Sequence, residues 1–210
     1  MTHVVLLGDS VFDNGRYVPG EPDVVRQLRE RLPAGAGATL LAVDGSTLPD
    51  LPRQIARLPA DASHLVVSIG GNDALRASAV FQEPSRSVGE SLARLAEIRE
   101  RFQAAYDAMA EAVLARGLPA AFCTVYDPRY PDALQRRVGI AGLSLINDGI
   151  LRVAASRALP VLDLRAICGD DADFANPIEP SAVGGRKIAG AISAWVAGPA
   201  PRGRAEIIAG

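Results

Sequence analysis

Only two histidines occur in this chain of 210 residues, His3 and His64, so any chemistry that needs an imidazole must use one of them. Cysteine is as scarce. Cys123 and Cys168 are too few for a disulfide framework in a chain this long, and their spacing fits no zinc ribbon, so both read as buried free thiols. Lys187 is the sole lysine, and 22 basic against 24 acidic residues leave a formal net charge of −2. No broad positive field is therefore on offer to nucleic acid or an anionic membrane. No run approaches the roughly 20 consecutive apolar residues that cross a bilayer. The opening Met1-Thr2-His3-Val4 has neither the cationic start nor the long apolar core of a secretory signal. The expectation is a soluble cytoplasmic protein with neither nucleic-acid nor membrane partners, free of internal repeats.

What is present is an ordinary globular balance, 49% hydrophobic and 22% charged, in a length that fits one fairly large domain. Short apolar runs rich in valine and leucine lie near 4–7, 39–43, 65–69, 120–125 and 161–164, the pattern of strands covered on both faces. Between them, apolar residues recur at helical spacing over 22–32, 48–58, 87–116, 143–157 and 183–196. Strands alternating with helices imply right-handed crossovers and a parallel sheet. The expected fold class is α/β: a three-layer α/β/α domain with a five-stranded, flavodoxin-like parallel sheet over 1–197. Residues 198–210 form a loosely held tail, although Ile207-Ile208 is able to pack back. The segment 126–142, with two prolines, is expected to form a lid or wall.

Three motifs stop these strands. The first run ends in Gly8-Asp9-Ser10, and Gly45 follows the second. The third ends in Gly70-Gly71-Asn72-Asp73, and a late loop reads Asn176-Pro177-Ile178-Glu179-Pro180-Ser181 before the last helix. Strands that end in glycine turns present polar groups at the carboxyl edge of an α/β sheet. In order and spacing these blocks resemble the SGNH (GDSL) hydrolase family over about 4–196. The resemblance implies a serine esterase or acyl hydrolase without metal or organic cofactor. It implies Ser10 as nucleophile, and an oxyanion hole formed by the N–H groups of Ser10 and Gly45 with the Asn72 side-chain amide. Asp9 is expected to pin its own turn and Asp73 to brace the loop of Asn72. Asp9, Asp73, Tyr126 and Arg129 are candidate substrate-contacting residues, with Tyr17 and Tyr130 as further cleft candidates.

The fourth block departs from the family pattern, which has aspartate, two residues, then histidine. Here those positions hold Asn176 and Glu179. Neither histidine fills the gap: both precede their strands, and the seven residues from His3 to Ser10 span up to about 23 Å when extended. A glutamate at its ordinary pKa is a poor acceptor for a serine proton, whereas burial without a cation raises it toward neutrality. Glu179, oriented by Asn176, is one reading of the base. A structural glutamate, capping the next helix or paired with Arg186, is the other, and a ligand-binding role is a third. The leading function is hydrolysis of a small acyl or acetyl ester through acyl-Ser10. The alternatives are a weakly active or inactive binding or regulatory protein on the same fold, and an acyltransferase.

Overall fold

The computed structural model of the protein describes residues 1–198 and 206–208. In chain order its elements are β1 (His3–Gly8), α1 (Val24–Arg31), β2 (Gly37–Leu40), α2 (Leu51–Ile55), β3 (His64–Ser68), α3 (Gly71–Ala77), α4 (Val88–Leu114), β4 (Ala120–Cys123), α5 (Ala133–Ser156), β5 (Pro160–Leu162), α6 (Leu164–Ile167), β6 (Phe174–Asn176), β7 (Glu179–Pro180), α7 (Ala182–Ala197) and β8 (Glu206–Ile208). A 3-10 turn, Ser78–Gln82, links α3 toward α4. The main sheet runs β2-β1-β3-β4-β5-β8 with all neighbours parallel, and β6 and β7 form a separate antiparallel hairpin.

The flavodoxin-like order of the first five strands is as expected, but the sheet has six strands. Ile207 and Ile208 do pack back, pairing with Val161 and Leu162 of β5. The sheet thus extends past residue 198, and the rest of the expected tail lies outside the described residues.

Side-chain alternation builds the layers. Along β1, Val4 and Leu6 face α1, α6 and α7, while Val5 and Leu7 face α2, α4 and α5. The inner strands β1, β3, β4 and β5 are covered on both faces, hence their unbroken apolar runs. Helix starts follow capping chemistry: Asp23 accepts from Arg26 N–H, Ser87 from Glu90 N–H, Asp132 from Gln135 N–H and Ser181 from Val183 and Gly184.

Two helices outgrow the sheet. At about 1.5 Å per residue, the 27 residues of α4 extend roughly 40 Å. The five residues of β3 cover only about 17 Å. Both α4 and α5 enter from the carboxyl edge of the sheet, so their first halves overhang it. The buried residues of α4 begin at Phe102, and those of α5 at Ile146. Among the described residues, α5 is the one helix long and apolar enough to cross a bilayer by length and composition. Here its second half packs on the sheet and its first half walls a cavity. That first half occupies much of 126–142, so the expected wall is largely helix.

Candidate active site

The carboxyl ends of β1 and β3 fix the site through two glycines. Gly8 has φ +131°, and a Cβ there would lie 1.7 Å from the Ser68 carbonyl oxygen, so only glycine lets the two strand ends approach this closely. Gly70, at φ +123°, starts α3 so that Asn72 and Asp73 occupy its first turn. Gln54, fully buried in α2, binds both the N–H and the carbonyl of Gly8 and also reaches Ser46 Oγ. It joins the end of β1 to the loop after β2.

Ser10 and Glu179, 169 residues apart in sequence, meet here. Ser10 Oγ donates to Glu179 Oε1 at 3.1 Å, and both side chains are buried. The other carboxyl oxygen, Oε2, is buried and has no hydrogen-bond partner among the described residues. Burial pushes Glu179 from 4.5 to about 7; the Ser10 hydrogen bond pulls it back, nearby Asp44 raises it and Arg16 lowers it. Among the described residues no salt bridge reaches it. Ser181 caps α7 in its place, and Lys187 is spent on Asp170 and Asp173.

Several bonds hold Glu179 in position. Asn14, fully buried, donates to the Pro180 carbonyl at 3.1 Å and accepts from Val24 N–H at 3.0 Å, tying the Ser10 loop, α1 and β7 together. Tyr126 donates its hydroxyl proton to the Ile178 carbonyl at 2.7 Å and stacks edge-on against Phe174. Gln54 and Asn14 were not singled out as positioning residues in the sequence. The only signal was an amide side chain close to a motif, which is shared by many surface residues.

Of the residues expected to supply an oxyanion hole, Ser10 and Asn72 line one cavity, and Gly45 lies in the loop that Asn72 binds. Gly45 takes the left-handed position (φ +80°) of a turn closed by Ser46 N–H to Val43 O. Among the described residues neither Ser10 N–H nor Gly45 N–H has a protein acceptor. Asn72 Nδ2 donates to Ser46 O at 3.0 Å, which uses one of its two hydrogens and sets the amide beside that turn. Asp73 accepts from Leu48 N–H at 3.2 Å, bracing α3 against the same loop.

Other candidates lie elsewhere. Asn176 does not orient Glu179: its Oδ1 accepts from Ile178 N–H, an Asx turn inside the β6–β7 hairpin. Arg129 faces away from the cavity, with its guanidinium bonded to the Gly169 carbonyl and stacked over Phe174, and it makes no substrate wall. Tyr17 binds Asp44. Asp9 does pin its turn, accepting from Val11 N–H at 3.2 Å. Burial, opposed by that bond and reinforced by Glu179, Asp73 and Asp44, pushes its carboxyl to about 8, so at pH 7 it is an uncharged acid. His3 is bonded to Asp61 and Thr39, and His64 to Ser63, all at the amino edge. Cys123 and Cys168 are both buried and free.

Ser10, Glu179, Asp9, Asn72 and Tyr126 share a cavity of about 680 Å³ that runs out between α3, α4 and α5.

The sequence profile of the GDSL-like Lipase/Acylhydrolase family matches residues 6–186. The chain belongs to that family. Among solved structures, this GDSL hydrolase resembles an extracellular lipase from Streptomyces rimosus, at 18% identity with a TM-score of 0.67 over 94% of this chain and 100% of the other. It also resembles an aryl esterase from M. smegmatis, at 14% identity and TM-score 0.61 over 93% and 98% of the two chains. A carbohydrate acetylesterase from Sinorhizobium meliloti gives 14% identity and TM-score 0.66 over 94% and 99%. At such identities these likenesses establish the fold. No curated protein matches the sequence. Family membership places the chain among enzymes that hydrolyse esters.

Proposed function

We propose that the protein is a serine ester hydrolase in which Glu179 takes the role of general base and Ser10 that of nucleophile. The observation that carries this reading is the 3.1 Å bond from Ser10 Oγ to a buried carboxyl that has no salt-bridge partner among the described residues. A base must lie within hydrogen-bond reach of the proton it takes and titrate near the working pH. Glu179, pushed up to about 7, meets both demands.

The steps follow from the chemistry of the groups. Ser10 Oγ attacks the ester carbonyl carbon as its proton passes to Glu179 Oε1. The carbonyl π electrons move onto oxygen, where Ser10 N–H, Gly45 N–H and the Asn72 amide are available as donors. The C–O bond to the alcohol then breaks, and Glu179 returns the proton to the departing oxygen. Water repeats the sequence on acyl-Ser10, with Glu179 first taking its proton and then giving one to Ser10. No cofactor is needed to balance either half. Each donor aimed at an oxyanion is worth about 3 kcal/mol of barrier, so the hole supplies the larger share of catalysis.

The test is hydrolysis of p-nitrophenyl acetate and butyrate by the wild type, Ser10→Ala and Glu179→Gln, with fluorophosphonate labelling of Ser10. Loss of turnover in both variants, with labelling of wild-type Ser10 alone, is the expected result. Full activity in Ser10→Ala removes the serine from the mechanism; absent turnover and absent labelling would leave a binding protein on a hydrolase fold.

A further inference from the structure

We infer that the cavity behind Ser10 is a binding site for the acyl chain of a lipid-like ester, of about eight to twelve carbons, and that Phe81 closes it. This deepens the serine-hydrolase reading and rests on it for the placing of the acyl carbon at Ser10.

The overhanging halves of α4 and α5 carry apolar residues that the sheet does not reach. Leu95 and Ile98 from α4 and Val138 and Leu143 from α5 line the cavity, with Ile69 at its base. A surface of that kind is stabilised when an apolar group displaces its water. Taking about 30 Å³ per chain carbon, the share one water has in the liquid, eight to twelve carbons fill roughly 240–360 Å³. The cavity of about 680 Å³ holds such a chain with the ester group beside Ser10. A bare acetyl group would leave most of these walls wet.

The far wall is a fitted contact. Phe81, on the 3-10 turn Ser78–Gln82, lies against Gly142 of α5, where a Cβ would come within 2.5 Å of its ring. The ring lines the cavity and is 38% exposed, so it is held by that contact while still facing solvent. Its turn is tied to the protein mainly through α3, the helix that carries Asn72.

The acyl half, not the alcohol, belongs here. The acyl group stays bonded to Ser10 through two half-reactions, whereas the alcohol must leave before water enters. Asp44, which accepts from both Arg16 and Tyr17, lies near Glu179 with Arg16, and none of the three lines the apolar cavity. That polar cluster suits a departing alcohol.

Two series of esters test this. With p-nitrophenyl esters from acetate to dodecanoate, kcat/KM is expected to rise about fourfold per added methylene, from the usual value of burying one. Over the six methylenes from acetate to octanoate this compounds to about 4,000-fold. Acetates of lengthening alcohols should show no such rise. Phe81→Ala should move the optimum to longer chains and Val138→Trp to shorter ones, read as the octanoate-to-acetate ratio. Dodecanoate binding to Ser10→Ala, followed by calorimetry, reads the cavity without turnover. A flat or falling acyl series, with Ser10 still labelled by fluorophosphonate, overturns the acyl site and leaves the hydrolase reading standing. A rise confined to the alcohol series overturns the acyl assignment. No labelling and no turnover, with dodecanoate still bound, overturns the hydrolase reading and keeps the chain site. Absence of dodecanoate binding to Ser10→Ala shown to be folded by circular dichroism refutes the site, whether or not the Phe81 and Val138 variants fold.

Discussion

The pH dependence of kcat/KM separates Glu179 from an ordinary carboxylate. Glu179 must be ionised to accept the serine proton, so activity is lost as pH falls through its pKa. With that pKa at about 7, only about 1% of the enzyme carries the base in usable form at pH 5, against about 90% at pH 8. The expected ratio of rates is close to 90-fold. Were the carboxyl at its usual 4.5, about three quarters would be ionised at pH 5, and the ratio would be near 1.3. The assay is p-nitrophenyl butyrate hydrolysis below KM, in buffers of constant ionic strength from pH 4.5 to 9. The ester does not titrate in this range, and release is read at the isosbestic wavelength of p-nitrophenol and its anion, so the limb belongs to the protein. The limb should vanish in Glu179→Gln together with about 10²- to 10⁴-fold of the rate. A wild-type profile level down to pH 5 would refute the reasoning, because the acid beside Ser10 would then be an unperturbed carboxylate or no base at all.

Three further outcomes are expected. Both Glu179 and Asp9 have folded pKa values raised above their unfolded ones, so they add stability below about pH 4 that is lost as pH rises toward 7–8. Tm should therefore fall from pH 5 to 8.5, and Glu179→Gln should gain on the order of 3 kcal/mol over wild type at pH 8.5, read by denaturant unfolding; no gain would mean the carboxyl is not destabilised by burial. Asn72→Ala should lower kcat by about 10²- to 10³-fold with little change in KM, since an oxyanion donor acts on the transition state; a change confined to KM would make Asn72 a binding group. Gly8→Ala should cost upward of about 4 kcal/mol, or prevent recovery of folded protein, because its methyl would fall on the Ser68 carbonyl; a Tm within a few degrees of wild type would contradict that approach.

Much of this was legible because strand chemistry and turn chemistry are local. Val4 to Gly8 and Leu65 to Gly70 each declare a buried strand and its end in consecutive residues. Asp132 and Gln135 carry an equally local helix start, but Pro128 and Pro131 mask it, so α5 was placed from Leu143 instead of Ala133. The strand β8 is three residues long, and its pairing depends on β5, which no local pattern reveals. In the site, Ser10 with Glu179 was readable from the order of motifs. Asn176 was not, since an amide that closes an Asx turn and one that orients a neighbour look alike in sequence. Nor was the cavity: Leu95 and Ile98 continue the apolar stripe of Phe102 and Met109, and periodicity cannot tell a core from an empty wall.

The Asx turn at Asn176 has a consequence for how such a centre is built. An imidazole base has two unlike nitrogens, and a third residue must settle which of them keeps the proton. A carboxylate has two interchangeable oxygens and nothing of that kind to settle. With glutamate at position 179, the chore that a side chain performs in a three-membered centre passes to the main chain of β7 and the amide of Asn14. The residue three places upstream is then free to shape its own hairpin.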